Sequence, residues 1–474
     1  MQLTGRSDQI ESLELSIKSS KSDLIAIIGR RRVGKTFFVK TVLGKRIFFQ
    51  FTGLHKSSLG EHLDRFSKAL KEQFNLSTVP QLNTWFDAFD VLKEHIQRSR
   101  IRKKKIIFLD EFPWMATHKS RFLTAFTDFW NSFASARNDI SIIICGSAAS
   151  WMIKNVFRNK GGLYNRVTER IELHPFTLKE TELFFLHKGL DLKRDSLAKL
   201  YLVMGGIPFY LEQLRTNESV DQAIDRLYFT KGSLLRIEYK ELFSSLFDES
   251  KLHETIVQML SDHPRGLDRN QLLNRTKITS GGGFTNILEE LEMSGFITAY
   301  TPFGKKSKDS IYKLTDPFTL FYMKYVLNSN LRSTVHWSYL SQSASWNSWS
   351  GLAFENLCMM HIPEIKRKLK IEGIHASASI WQHRGGPEMQ GAQIDLIIDR
   401  ADKTINLCEI KYRQLPYVIT RDDHAALLLK MASFQYYTKT NKTIFVTCIT
   451  SNGLVKNQYS LDLVKNEVVL DDFF

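Results

Sequence analysis

The stretch Gly29-Arg30-Arg31-Arg32-Val33-Gly34-Lys35-Thr36 constrains this chain more than any other. Before it, Leu24-Ile25-Ala26-Ile27-Ile28 is a continuous apolar run that reads as a buried parallel strand. After it, Phe37 to Leu43 reads as a helix. Strand, glycine-bounded loop and helix are the context of a Walker A loop, which confines the N-terminal region to a P-loop α/β architecture. Gly29 and Gly34 let the backbone turn its N–H groups toward phosphate oxygens, and the helix adds the positive end of its dipole there. Lys35 is expected to reach the β- and γ-phosphates of ATP, and the Thr36 hydroxyl to offer a hard oxygen to Mg²⁺.

A second apolar run, Lys105-Ile106-Ile107-Phe108-Leu109, closes on Asp110-Glu111, the Walker B pattern. Asp110 is expected to bind Mg²⁺ and Glu111 to orient and deprotonate the attacking water. A third run, Ile140 to Ile144, ends in Cys145-Gly146-Ser147. Ser147 fits a sensor of the γ-phosphate; a strand-terminating turn explains it as well. Arg166 is the preferred arginine for stabilising transition-state charge and Arg170 the second, although surface or ion-pairing arginines are the commoner case. Pro175-Phe176-Thr177 then starts a helical lid reaching about Tyr239, with a tight turn at Gly205-Gly206-Ile207-Pro208.

The 474 residues accommodate two to four domains, and a hydrophobic fraction of 43% is that of a globular chain. No apolar run approaches the ~20 residues of a membrane helix, and Met1 to Arg6 does not read as a signal peptide. Cys145, Cys358, Cys408 and Cys448 lack paired spacing, as expected of reduced thiols in a cytoplasmic protein. The net charge of +15 points to a polyanionic partner, nucleic acid before a membrane surface, unless the excess only solubilises the chain.

The loop at 29–36, Leu-Asp-Glu-Phe-Pro-Trp at 109–114, Gly-Ser at 146–147 and Gly-Gly-Ile-Pro at 205–208 together resemble the archaeal-type ATPase family. These are P-loop proteins related to the AAA+ and STAND classes. The resemblance implies a C-terminal nuclease-like domain of the DUF234 type, in the restriction-endonuclease-like PD-(D/E)XK class.

Residues 251–314 alternate helices with a basic turn, Gly304-Lys305-Lys306-Ser307-Lys308, and a final strand, Ile311 to Leu314. That order describes a winged helix, whose third helix would read a DNA groove. Glu289, Glu290 and Glu292 on that helix would repel phosphate, which favours a spacer.

A second constellation lies in the last domain. A helix from Trp349 to about Leu369 carries Glu355 on an apolar stripe. The strands 392–399 and 404–411 form a hairpin which, if centred on Asp402, sets Asp395 directly opposite Glu409. Glu409 and Lys411 then project from one face while Ile410 points into the core. Asp395 and Glu409 are expected to hold Mg²⁺ with Glu355 as a third carboxylate, and Lys411 to position or activate the attacking water. An exposed charged hairpin is the plain alternative. Ser433-Phe434-Gln435-Tyr436 lies in a helix that either touches substrate or packs.

The expected organisation is an ATPase core at 1–160, a lid at 161–240, a winged helix at 250–315, a linker at 316–345 and a nuclease-like α/β domain at 346–474. The expected function is an ATP-regulated, Mg²⁺-dependent enzyme acting on DNA. The rivals are an ATP-operated switch that binds a protein partner or nucleic acid through an inactive nuclease-like domain, and a transcription factor using the winged helix. Homo-oligomerisation is compatible with all three.

Overall fold

The computed structural model describes residues 3–147, 149–158, 162–247, 250–277, 281–327, 329 and 337–474. The chain divides into two compact units. The first comprises Met1–Pro175 with Ile207–Phe209 and Ser244–Asp248, and the second holds the remainder. The expected boundary at 160/161 and the first residues of the Ser- and Trp-rich connection, 333–336, lie outside the described residues.

In the first unit, helix α1 (Ser7–Lys18) precedes β1 (Asp23–Gly29), α2 (Lys35–Leu43), β2 (Ile47–Thr52), α3 (Leu59–Phe74), α4 (Trp85–Arg98), β3 (Lys105–Asp110), β4 (Ile140–Gly146) and β5 (Glu169–Leu173). The strands form one sheet in the order β2-β3-β4-β1-β5, with every pair parallel. β1, β3 and β4 are buried almost throughout, as strands covered on both faces by helices must be. The edge strand β5 alternates charge with apolar residues, Glu169-Arg170-Ile171-Glu172-Leu173, so no continuous apolar run announces it. α3 and α4 start with capping boxes, Ser58 with Glu61 and Thr84 with Asp87. Their inner faces close a core of interlocking aromatic rings around Phe66, Trp85 and Phe89.

A parallel sheet sorts its loops by edge. Gly29, Asp110 and Gly146 end their strands on one edge, while Asp23, Lys105, Ile140 and Glu169 begin theirs on the other.

The second unit opens with helices, Leu178–His187, Arg194–Met204, Val220–Ile224 and Leu234–Leu242. Gly206 lies against Phe176, where a Cβ would sit 1.9 Å from the Phe176 carbonyl oxygen, so only glycine fits. Tyr210 and Tyr239 from this region stack on Phe318 and Tyr322 at 4.6 and 3.7 Å between ring centroids.

Helices Ser250–Ser261, Arg269–Thr276 and Gly282–Met293 follow, with β6 (Leu267–Asp268), β7 (Ile297–Tyr300) and β8 (Ile311–Leu314) in an antiparallel sheet of order β6-β8-β7. Two of the three glutamates on the last helix have local partners: Glu290 pairs with buried His253 at 2.9 Å, and Glu292 accepts the Ala299 N–H at 3.1 Å. Phe303, in the β7–β8 loop, donates its N–H to the Ile380 carbonyl at 2.8 Å and packs its ring on Phe434. Lys305, Lys306 and Lys308 remain exposed.

The C-terminal part contains α5 (Ala344–Met360), β9 (Ala376–Gly385), β10 (Gln390–Arg400), β11 (Thr404–Lys411), α6 (Arg421–Thr438), β12 (Thr443–Thr450) and β13 (Val464–Val469). The long helix anticipated from Trp349 to Leu369 breaks at His361, and Pro363 starts the short helix Ile362–Lys368, where its missing N–H costs nothing. The sheet order is β13-β12-β11-β10-β9, antiparallel from β9 to β11 and parallel beyond.

Candidate functional site

The loop between β1 and α2 sits on the sheet edge formed by the strand C-termini. A Cβ at Gly29 would lie 2.3 Å from the Leu173 carbonyl oxygen, so the neighbouring strand leaves room only for glycine. Gly34 has space around it but a φ of +89°, a left-handed conformation that glycine adopts without strain. Gly34 also caps α2, and no side chain bonds its first-turn N–H groups, which are therefore available to an anion. Arg30 and Val33 are buried, Arg31 is partly so, and the Arg32 guanidinium lies 4.1 Å from the Phe209 ring centroid.

Lys35 is buried, and its ammonium donates to the carbonyls of Gly29 at 2.9 Å and Arg30 at 3.0 Å. Burial holds its pKa below the ordinary lysine value, although Cys145, Glu111 and Asp110 act in the opposite sense. Lys35 is hydrogen-bonded to carbonyls and forms no direct ion pair among the described residues, so a polyphosphate would supply the counter-charge in contact that it lacks.

The Thr36 hydroxyl donates to Asp110 at 2.7 Å, which sets two hard oxygen donors side by side at the loop. Burial raises the Asp110 pKa, and the adjacent Glu111 charge adds to the effect. The donor set therefore fits Mg²⁺.

Glu111 has a φ of +46°, an uncommon conformation for a residue with a side chain. Its N–H donates to Asp110 Oδ1 at 3.0 Å, and its Oε2 accepts the Ser147 N–H at 3.1 Å and hydroxyl at 2.8 Å. Ser147 follows β4, which lies between β1 and β3, and it holds the Glu111 carboxylate. Two glycines shape this corner: Gly146, which the sequence pointed to, and Gly53, which it did not. A Cβ at Gly53 would lie 2.6 Å from the Glu111 carbonyl oxygen, and one at Gly146 would lie 2.8 Å from Pro113 Cδ.

The structure limits how the two arginines can act. Arg166 precedes β5 and lies on the sheet edge where strands begin, opposite the loop 29–36. At about 3.3 Å per residue, a strand the length of β1 separates the two edges by about 20 Å. Arg166 therefore cannot contact a nucleotide bound to its own chain's loop. Arg170 lies within β5, paired with Glu172 at 2.5 Å and stacked over Phe157. Both arginines looked close because they follow Ser147 in sequence, whereas strand direction carries them away.

In the second unit, β10 and β11 pair with Leu396 opposite Cys408 and Ile397 opposite Leu407. The register is that of a hairpin centred on Asp402, and its last pair, Leu396 with Cys408, lies next to Asp395 and Glu409. The β9–β10 register shifts between Ile394 and Ile397, a bulge that re-aims the side chain at 395. Gln393 Nε2 donates to Asp395 Oδ1 at 2.8 Å.

Glu409 is held between two ammonium groups, Lys411 at 2.7 Å and Lys430 of α6 at 2.6 Å. Burial alone would raise its pKa, but Lys430 and Lys411 outweigh it and hold Glu409 below the usual carboxylate value. Lys411 is reciprocally held above the ordinary lysine value: burial opposes its charge, and Glu409 prevails. Glu355 of α5 is pushed up to about 8, first by burial and then by the Asp395 charge, with Lys313 and Lys411 opposing.

These side chains share a field but do not form the expected ligand set. Among the described residues, no three His, Cys, Asp or Glu side chains converge closely enough to hold a metal ion. The triad of Glu355, Asp395 and Glu409 is thus not assembled in this conformation, because both Glu409 oxygens face lysines. Lys430 was not legible beforehand, since a lone lysine on a helix is ordinarily solvated. Ser433 and Phe434 pack: the serine hydroxyl donates to the Gln390 carbonyl at 2.8 Å, and the ring is fully buried. All four cysteines are buried free thiols. Among the described residues no helix is long and apolar enough to cross a membrane.

The fold and loop of the first unit define an ATPase domain, and residues 3–214 match the family described as an ATPase domain predominantly from Archaea. An uncharacterized protein of Methanocaldococcus jannaschii is 26% identical over 419 residues, 86% of this chain and 87% of that protein. Among solved structures, a Walker-type ATPase of Pyrococcus abyssi aligns with a TM-score of 0.49 and 17% identity, over 68% of this chain and 96% of that one. The ORC2 protein of Aeropyrum pernix aligns with a TM-score of 0.44 and 16% identity, over 68% of this chain and 93% of that one.

Proposed function

We propose that this chain binds and hydrolyses ATP with Mg²⁺ and uses the nucleotide state to control a PD-(D/E)XK-type nuclease domain acting on DNA. The first half of this reading is carried by the group of five side chains at the C-terminal edge of the sheet: buried Lys35, Thr36 bonded to Asp110, and Glu111 held by Ser147. Lys35 and the α2 N-terminus bind and orient the phosphates. Thr36 and Asp110 would hold Mg²⁺, which when bound neutralises charge on the phosphate oxygens. Glu111 accepts the proton of the attacking water, and Ser147 keeps its carboxylate from rotating away.

The second half is supported by the meeting of Asp395, Glu409, Lys411 and Glu355 in one electrostatic field, with Asp395 and Glu409 on neighbouring paired strands. Asp395 and Glu409 are the residues that would hold Mg²⁺ there. Lys411 would stabilise charge developing on phosphorus. The order α5-β9-β10-β11-α6-β12 accords with a restriction-endonuclease-like core, and the three-helix, three-strand module at 250–315 with a winged-helix spacer.

The test is incubation of plasmid and linear DNA with Mg²⁺ or Mn²⁺, with and without ATP. Metal-dependent cutting that is lost in Asp395→Ala while ATP turnover survives supports the reading; cutting unchanged in that variant sinks it. One observation favours a second reading, an ATP-operated switch with an inactive nuclease-like domain: the two lysines that already neutralise Glu409. Nucleotide-dependent oligomerisation or partner capture without any cutting would select it.

A further inference from the structure

The edge of the first unit's sheet opposite the nucleotide loop has a chemistry of its own. Four adjacent strands, in the order β3-β4-β1-β5, begin there. The loops entering them carry a concentration of cations. Six of the eight residues from Arg98 to Lys105 are basic, and Lys21, Arg137 and Arg166 stand before β1, β4 and β5.

The carboxylates on this edge are already engaged internally. Asp23 pairs with Lys104, and Asp139 pairs with both Lys105 and Arg137 at 2.7 Å. These pairs brace the loops, as does the Ser22 hydroxyl on the Arg137 carbonyl at 2.9 Å. Glu169, at the start of β5, accepts the Ser12 hydroxyl at 2.7 Å, and what remains outward is mainly positive. Lys21, Arg100, Arg102, Lys103 and Arg166 are exposed and form no ion pair among the described residues.

A cavity of about 560 Å³ opens on the same edge, lined by Lys21, Trp130, Arg137, Asn138, Asn165 and Arg166, among others. Trp130 is 3% exposed, and among the described residues its indole N–H has no hydrogen-bond partner. A buried donor without an acceptor is costly in the free protein.

We propose that this edge binds the phosphodiester backbone of a nucleic-acid strand, independently of sequence, with one phosphate or sugar entering the cavity. Strands lie about 4.8 Å apart, so the row of cations spans about 15 Å. That width lets the cations meet successive phosphates of one strand. The edge lies away from the nucleotide loop, so this grip and ATP binding do not compete for space. The inference goes beyond the function proposed above, because it needs no cutting and no contribution from the C-terminal domain.

The test is fluorescence anisotropy of the full chain with labelled 30-residue single-stranded and duplex DNA and RNA, in EDTA, over a range of salt. The main variant is Arg100→Glu/Arg102→Glu/Lys103→Glu; a second, Arg100→Gln/Arg102→Gln/Lys103→Gln, guards against misfolding, and both are checked by thermal melting. Each lost phosphate contact lowers the salt slope by about 0.9 on duplex and about 0.7 on single strands. The charge-reversed variant should lose about 2 to 3 from the slope and at least about tenfold in affinity. Unchanged affinity and slope in either variant, at an unchanged Tm, overturns the proposal. So does tighter binding of the wild type to polyglutamate or to phosphatidylserine vesicles than to nucleic acid, which would assign the edge to an acidic protein or a membrane surface.

Discussion

The two charged centres of this molecule are opposites. At the nucleotide loop a buried cation, Lys35, is hydrogen-bonded to carbonyl oxygens, with Asp110 and Glu111 acting on it only through space, and the α2 N-terminus adds more positive potential. At the β10–β11 hairpin a largely buried anion, Glu409, is already clamped by two ammonium groups. The first centre is incomplete until an anion arrives. The second is neutralised by its own chain, so a cation must displace a lysine before Glu409 can act as a ligand. A buried charge without a counter-charge is the stronger sign of a ligand site, because its desolvation is not offset within the protein.

The sharpest way to break the comparison is Lys35→Ala. Removing the cation from the incomplete centre should lower ATP turnover by at least about a hundredfold, read as phosphate release. Turnover that persists would remove the loop from the mechanism. Glu111→Gln should lower turnover by about 10² to 10⁴, the span of general-base catalysis, while a fluorescent ATP analogue still binds. Loss of binding in that variant would mean that the carboxylate builds the site rather than activates water. Ser147→Ala should cost about tenfold in kcat with little change in KM, since one hydrogen bond to a charged acceptor is removed. A change confined to KM would argue for contact with the nucleotide instead.

At the self-neutralised centre, Lys430→Met should free one Glu409 oxygen and tighten Mn²⁺ binding by several-fold in calorimetric titration; weaker binding would show that Lys430 supports the site. The smallest effect concerns pH. Glu355 is held at about 8 when folded, above the ordinary glutamate value. The folded state therefore binds more protons than the unfolded state between about pH 4.5 and 8, and stability falls as pH rises through that window. Glu355→Gln should flatten that part of the Tm profile, and a wild-type profile already flat there would place Glu355 in water.

The two centres also differ in how readable they were. The nucleotide loop was legible because all of its parts are local: strand, glycines, lysine and helix follow one another within twenty residues. The β10–β11 register was legible for a related reason, since a tight turn at Asp402 dictates the pairing of both arms. The position of Arg166 on the opposite sheet edge was not legible, because the sequence does not say which end of a parallel strand a residue occupies. The glutamates on helix Gly282–Met293 looked like repulsion toward DNA, whereas Glu290 and Glu292 hold His253 and the Ala299 N–H.

The amino-acid order alone was sufficient for the P-loop architecture, the Asp110-Glu111 strand end and the register of the β10–β11 hairpin, because short-range sterics and backbone pairing operate within each segment. Only the tertiary structure decided that Ser147 grips Glu111, that Lys430 reaches Glu409 from a helix, and that cations from four separate loops gather on one edge of a parallel sheet. Those contacts join residues far apart in the chain, and parallel strand packing, which no local pattern encodes, selects which of them meet.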